Sequence, residues 1–153
     1  MDQFGMGIYK DMFQRVSDRW SDLAKEYAAN PFPVAKVNIY HQSADSRRRT
    51  RERILAAGLE VTMADAETTS LEISLKHVDK GTGLEKLCRH LNLPIAQTIV
   101  VGDADNDLEA LKKAGLAVAM GNASPQVKAA ADVVVADCDH GGCAQAVDIL
   151  LKR

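Results

Sequence analysis

Apolar positions in the first half of the chain predict one helix followed by a small mixed unit of strands and a helix. Between residues 8 and 27 the apolar side chains recur at steps of three or four, which is typical of one amphipathic helix. We expect Trp20, which lies on this stripe, to pack in the core rather than against a ligand. Beyond Pro31 the pattern predicts strand, helix, strand and strand at about 35–40, 47–57, 59–63 and 70–76.

The last of these strands alternates strictly between apolar and polar residues. Leu71, Ile73 and Leu75 fall on one face, and Glu72 and Ser74 fall on the other. Because successive side chains of a strand point to opposite faces, we expect the leucines and the isoleucine inward and Glu72 and Ser74 outward.

The second half changes to short, continuous apolar runs that alternate with amphipathic segments. Such runs are typical of strands buried on both faces of a parallel sheet. The predicted strands are 98–101, 116–120 and 132–136, and the predicted helices are 81–92, 108–114, 125–131 and 142–151. Strands that alternate with helices form β-α-β crossovers, so the fold class is α/β with a parallel sheet. We place the boundary near Asp79, with an α+β lobe at 1–78 and the parallel sheet at 79–153.

Composition limits the classes of partner and compartment. The 153 residues carry a net charge of −2, which argues against a general nucleic-acid binder. No apolar run is long enough to span a membrane, and the start lacks the apolar segment of a signal peptide. Three cysteines make no disulfide framework. We therefore expect a cytoplasmic protein.

The acidic sequence GDADND directly follows the predicted strand 98–101. Ligands of open α/β sheets bind at the carboxyl ends of the strands, which is where these residues fall. Asp103 and Asp107 lie one helical turn apart, so both carboxylates can face one point, and Mg²⁺ prefers such oxygen ligands. The alternative is a helix N-terminus whose acidic residues only complement the helix dipole.

Two further segments carry candidate phosphate-side residues. Lys80 begins the helix at the lobe boundary, where it could reach a phosphate, although most lysines are simply solvated. Asn122 follows the next parallel strand and would lie beside Asp103, although an asparagine after a glycine is commonly a turn residue.

Together, the segments KG, GDADND and AMGNA resemble, in their order and spacing, the haloacid dehalogenase (HAD) superfamily. The branch they resemble is that of the Cof-type, or class IIB, phosphatases, which includes sucrose-phosphate phosphatase. The resemblance is specific over residues 79–148 and weaker upstream, where the α-β-α-β-β order is similar to the family's cap lobe. It implies a Mg²⁺-dependent phosphomonoester hydrolase, with a small sugar phosphate as substrate.

The resemblance also implies a role for each matching residue. Lys80 would neutralise the substrate phosphate and the attacked aspartate. Asp103 would ligate Mg²⁺, and Asp107 would hold that ion or its waters. Asn106 would support the loop, and Asn122 would order the site from the neighbouring strand.

The family's nucleophile motif, DxDGT on an N-terminal strand, has no counterpart in this sequence. The only partial match is at residues 2–5, where Phe4 replaces the second aspartate. Because an aspartyl-phosphate mechanism needs that carboxylate, we expect this chain to be inactive or nearly so. Strand 98–101 would then have an unpaired edge, which a second copy or a partner chain would cover. The alternative function is a catalytically dead HAD-derived module that acts as a dimer or binding partner.

Two weaker signals remain. Five arginines crowd the start of the helix at 47–57, and we interpret them as a solvated surface, with anion binding as the alternative. The histidines His41, His77 and His140 lack metal-ligand spacing, and we expect them to be structural or exposed.

Overall fold

The computed structural model of the chain describes Gly7 and residues 10–66 and 69–152. Within those residues it contains two three-stranded sheets, one antiparallel and one parallel. The start of the helix predicted at 8–27, including Ile8, and the stretch 2–5 lie outside the described residues.

The single long helix predicted near the N-terminus is wrong, because two short helices replace it. Helix α1 spans Lys10–Val16 and helix α2 spans Leu23–Ala29. The Asp22 side chain accepts a hydrogen bond of 3.0 Å from the backbone amide of Lys25. This cap starts a new helix, since a side chain that satisfies an exposed amide stabilises a helix end.

The prediction that Trp20 packs in the core is also wrong. Its side chain is 46% exposed, and neither α1 nor α2 contains a buried residue. The indole instead contacts the ring of Phe32, with ring centroids 5.6 Å apart, and Tyr27 contacts the same ring at 5.3 Å. The apolar stripe therefore forms a small aromatic cluster on the surface.

The antiparallel sheet contains strands β1 (Val37–Tyr40), β2 (Val61–Ala66) and β3 (Ser70–Leu75) in the order β1-β3-β2. Leu71, on the central strand β3, is fully buried, as predicted. Leu75 was predicted inward but is 68% exposed, because it lies at the end of the strand, beyond the packed part of the sheet.

Helix α3 (Ala44–Ala56) connects β1 to β2, and local signals define both of its ends. Ser43 and Ser46 form a reciprocal capping box at its start. Gly58 follows its last turn with a φ of +67°, a left-handed conformation that glycine adopts without a steric penalty.

The parallel sheet predicted for the second half is confirmed. Strands β4 (Ile99–Gly102), β5 (Leu116–Ala119) and β6 (Val133–Val134) pair in the order β4-β5-β6. The helices of this half are α4 (Lys80–Leu91), α5 (Leu108–Lys113), α6 (Pro125–Ala129) and α7 (Gly142–Leu151). A short 3₁₀ turn at Asp105–Asp107 joins β4 to α5.

The main core surrounds β5, whose four residues are all buried. Ala117 and Ala119 pack on one side with Leu111 and Val127 of the helices. On the other side of the sheet, Val118 belongs to a second buried cluster, whose other members are Leu116, Met120, Val135 and Ala146. Helices therefore cover both faces, which explains the continuous apolar run.

Strand β4 lies at an edge of the parallel sheet in the part of the chain that the structure describes. Its only described strand partner is β5, and its Val101 is 40% exposed. No described helix is long and apolar enough to cross a membrane.

Candidate functional site

A polar cleft of about 720 Å³ lies where the carboxyl ends of β4 and β5 face the antiparallel sheet. Side chains from both sheets line it, so residues far apart in sequence meet there. The lining residues are Arg47, Asp65, Ala66, Glu72, Lys80, Asp103, Ala104, Asp105, Asn106, Asp107, Asn122 and Ser124. All five predicted site residues are among them.

The loop after β4 holds Asp107 in one fixed orientation. Its Oδ2 accepts hydrogen bonds from the backbone amides of Asp103, at 3.1 Å, and Ala104, at 3.2 Å. Gly102 makes this fold-back possible, because a Cβ at that position would lie 2.6 Å from the Cβ of Asp107. The side chain of Asp107 is only 11% exposed, so the carboxylate is part of the loop's internal structure.

Lys80 meets that carboxylate from the first turn of α4. Its ammonium forms an ion pair with Oδ1 of Asp107 and lies 3.5 Å from Oδ1 of Asn106. Gly81 allows α4 to approach α5 closely, since a Cβ there would lie 2.4 Å from the carbonyl oxygen of Glu109. The lysine side chain is half-exposed, so its ammonium also faces the cleft.

Asp103 and Asn122 join the ends of the two neighbouring strands. Nδ2 of Asn122 donates to Oδ2 of Asp103 at 3.1 Å, and Oδ1 of Asn122 accepts from the backbone amide of Cys138 at 3.1 Å. Asp103 is exposed at the cleft. Next to it, the Ser124 hydroxyl donates to Oδ1 of Asp105 at 3.3 Å.

The antiparallel sheet contributes Glu72 from the outward face of β3. Its side chain is only 16% exposed, and its Oε2 accepts from Nζ of Lys36 at 2.8 Å and from Nδ2 of Asn106 at 3.3 Å. Burial raises the pKa of Glu72, but the hydrogen bonds from Lys36 and Asn106 and the charge of Lys80 outweigh it, so the pKa lies below its ordinary value. The outward face of β3 at Glu72 is therefore a wall of the cleft.

The arginine-rich helix α3 divides into two groups. Arg48 and Arg49 pair with Asp45 on the exposed surface, as expected for a solvated helix face. Arg47 and Arg51 both pair with Asp65 of β2, with Nη2 of Arg47 lying 3.1 Å from its carboxylate. The prediction of a solvated helix surface is therefore correct for Arg48 and Arg49. It is wrong for Arg47, which lines the cleft.

The oxygen donors that line the cleft are of the type that Mg²⁺ prefers. Five carboxylates and two cationic side chains line it, so the cleft favours a cation. Among the described residues, no three acidic, histidine or cysteine side chains converge as a complete metal cage. Mg²⁺ is commonly held by one or two carboxylates together with waters and phosphate oxygens, so Asp103 and Asp107 fit as a partial set of ligands.

The sequence identified the residues at the strand ends and missed those that the antiparallel sheet brings to them. No sequence motif marks Glu72, Asp65 or Arg47 as site residues. The one available signal is the i, i+4 spacing of Arg47 and Arg51, which places both on the same face of α3. His41 is structural, as predicted, because it is buried and contacts the Thr50 hydroxyl at 2.9 Å.

Comparisons with known proteins agree with this geometry. A family model described as haloacid dehalogenase-like hydrolase matches residues 7–147. Phosphatase YwpJ of Bacillus subtilis (strain 168) is 37% identical over 92 residues, which are 60% of this chain and 32% of that protein. The solved structure of a haloacid dehalogenase-like hydrolase from B. subtilis is 28% identical, with a TM-score of 0.77 over 88% of this chain and 47% of that one.

A third similarity concerns the fold alone. The subclass IIB sugar phosphatase BT4131 of the HAD superfamily is 23% identical, with a TM-score of 0.72 over 91% of this chain and 54% of that one. The chain thus spans about a third of YwpJ and about half of these two solved structures. The fold of the chain is similar to the matched half of the BT4131 structure. Since the family match extends over most of the sequence, the chain belongs to the haloacid dehalogenase-like hydrolases.

Proposed function

We propose that the cleft is the phosphate site of a Mg²⁺-dependent phosphomonoester hydrolase that acts on a small sugar phosphate. One observation carries the proposal: the carboxyl ends of two adjacent parallel strands bring two aspartates and two asparagines to one cleft, where Lys80 joins them from the first turn of α4. The similarity to a phosphatase and to a family of hydrolases supports the same chemistry.

Each residue has a role that its contacts support. The half-exposed ammonium of Lys80 would bind phosphate oxygens, while its ion pair with Asp107 keeps it at the mouth of the site. Asp103 and Asp107 would hold Mg²⁺ directly or through its waters, and Asn122 would order Asp103. Asn106 would support the loop through its contact with the Lys80 ammonium. When bound, Mg²⁺ supplies Lewis-acid stabilisation of the phosphate charge.

The sugar part of the substrate would face the antiparallel lobe. We assign residues 1–78 to a cap lobe and 79–153 to half of the catalytic core, with the cleft between them. On the cap side, Arg47 and Asp65 lie as an ion pair that offers donors and acceptors side by side. Hydroxyl groups need both, and the resemblance in fold to a sugar phosphatase agrees with this substrate class.

The 153-residue chain by itself should release little or no phosphate. Phosphoryl transfer through an aspartyl-phosphate needs a carboxylate that is available to attack. Of the five described carboxylates of the cleft, Asp103 and Asp107 are assigned to Mg²⁺. The other three are held by partners: Asp65 and Glu72 in ion pairs and Asp105 by the Ser124 hydroxyl. Turnover would therefore require a nucleophile from a strand placed beside β4.

A second candidate function follows from the edge strand. The N–H and C=O groups on the outer side of β4 are unpaired within the described chain, and such edges favour pairing with another strand. We propose a second copy or a partner chain at this edge, either completing an enzyme or forming a catalytically inactive binding module. Light scattering checks the pairing with a second copy, since a monodisperse monomer would count against it.

The compartment we propose is the cytoplasm. All three cysteines, Cys88, Cys138 and Cys143, are free thiols, and two of them are exposed. Exposed thiols persist where the surroundings are reducing.

The test is phosphate release from an aryl phosphate and a panel of sugar phosphates, with and without Mg²⁺. Any Mg²⁺-dependent turnover should be lost in Asp103→Asn and in Lys80→Ala. A chain that is supplemented with a nucleophile strand should gain phosphatase activity, and the same two substitutions should remove it. Unchanged turnover in either variant would overturn the assignment. Turnover by the chain alone that Asp103→Asn abolishes would support the site and refute the expected inactivity.

A further inference from the structure

A continuous line of polar contacts connects the antiparallel sheet to the site lysine. Oε2 of Glu72 lies 2.8 Å from Nζ of Lys36 and 3.3 Å from Nδ2 of Asn106. Oδ1 of the same asparagine lies 3.5 Å from Nζ of Lys80. The two ends of one amide group therefore contact groups from different lobes.

Glu72 is placed to remain ionised at this junction. Its side chain is 16% exposed, and two cationic side chains, Lys36 and Lys80, lie on either side of the contact line. A mostly buried carboxylate stays ionised only with such partners, since burial without them disfavours its charge. The residue therefore contributes a fixed negative charge and a fixed acceptor oxygen to the wall of the cleft.

The acceptor oxygen decides which way the Asn106 amide points. The nitrogen and oxygen of an asparagine amide have nearly the same shape, so hydrogen-bond partners determine its orientation. Because Glu72 accepts from Nδ2, the amide oxygen is turned toward Lys80. The opposite orientation would direct N–H groups at the ammonium and leave the carboxylate of Glu72 facing an amide oxygen.

We propose that Glu72 is a positioning residue, through which the cap lobe fixes the Asn106 amide and, through it, the Lys80 ammonium. This inference rests on the proposed function, because the place of the ammonium matters to the reaction only if Lys80 binds a phosphate.

The test uses NMR of the metal-free 153-residue chain and follows the side-chain amide of Asn106, identified by its loss in Asn106→Ala. Glu72→Met keeps the length of the side chain but removes the acceptor, whereas Glu72→Gln keeps an acceptor oxygen without the charge. Glu60→Gln is the matched control, since it disrupts an exposed ion pair with Lys76 at the far end of the same sheet.

In Glu72→Met we expect the Asn106 amide to exchange with water about tenfold faster and to shift more than any other side-chain amide. Glu72→Gln should restore slow exchange, and Glu60→Gln should leave it unchanged. An Asn106 amide that is unaffected in Glu72→Met, or equally affected in Glu72→Gln, would overturn the inference. Should Glu72→Met not fold, Glu72→Ala is the second variant without an acceptor.

A Mg²⁺ titration of the wild-type chain tests the proposed function separately from the positioning role of Glu72. A chain that binds no Mg²⁺ although Asn106 responds to Glu72 would overturn the proposed function and, with it, any catalytic meaning of the contact. A chain that binds Mg²⁺ although Asn106 ignores Glu72 would overturn only the positioning role.

Discussion

The two sheets of this chain are stabilised by different interactions. Of the fifteen buried apolar residues in the described chain, only Ala66 and Leu71 belong to the antiparallel half. The other thirteen belong to the parallel half, whereas the antiparallel half carries ion pairs, among them Lys36–Glu72 and Arg51–Asp65. A dense apolar core gives rigid strand ends, so the half that carries Asp103 and Asp107 holds its side chains in place and the other half presents polar groups to them.

The largest expected effect comes from the core of the parallel half. Leu111→Ala should lower the free energy of unfolding by about 2–5 kcal/mol, because it empties a site that is 2% exposed and closely packed. Leu75→Ala, at an exposed strand end in the other half, is the matched control and should change it by less than about 0.5 kcal/mol. Urea unfolding measures both, and equal effects would remove the contrast between the halves.

The second largest effect is expected from substitution of Gly102, the glycine at the start of the acidic loop. Gly102→Ala should destabilise the chain by about 1–3 kcal/mol and weaken Mg²⁺ binding, because the added Cβ displaces the Asp107 side chain. Gly83→Ala, in an exposed turn of α4 with open space around it, should instead stabilise the chain by about 0.4–1 kcal/mol. Thermal unfolding and calorimetry distinguish the two; a harmless Gly102→Ala would refute the fold-back of Asp107.

A smaller, pH-dependent effect should come from Glu72. Its pKa is lower in the folded chain than its ordinary value of 4.5, so its ionised form stabilises the fold above that pH. That stabilisation should disappear as the pH falls through the lowered folded pKa. Wild type should therefore exceed Glu72→Gln in stability at neutral pH and converge with it in acid. A difference that stays constant from neutral pH to acid would contradict this electrostatic account.

The smallest effect is expected on the outer face of α3. Arg48 pairs there with Asp45 and Glu52, and all three side chains are more than half exposed. Solvent screens such pairs strongly, so Arg48→Gln should leave the urea midpoint unchanged within error. A clear loss of stability would show that the antiparallel half depends on its surface charges more than we infer.

Local patterns predicted the parallel half well. Its strands are continuous apolar runs, its helices begin at capping residues such as Ser124, and the carboxyl ends of its strands must share an edge. Together, these features predict that Asp103 and Asn122 lie close to each other. The motif spacing then added Lys80, which begins the helix preceding β4.

The antiparallel half was harder to predict because its packing is not periodic. The stripe around Trp20 has helical spacing, yet the cap at Asp22 divides the helix and the stripe stays on the surface. Glu72 occupies a polar position on a strand, and polar positions normally face solvent. Only the approach of a second sheet turns that face into the wall of a cleft, and such long-range contacts leave no local pattern.

The central claim is that the ends of β4 and β5 form a site for Mg²⁺ and phosphate. Calorimetric titration of the full chain with Mg²⁺, in the presence of inorganic phosphate, tests it most directly. We expect saturable binding that Asp103→Asn weakens by about tenfold or more, as expected for loss of a direct ligand. Asp148→Asn, which removes the same charge from an exposed position on α7, should bind like the wild type. Equal binding by wild type and Asp103→Asn, or no binding by wild type, would contradict the account.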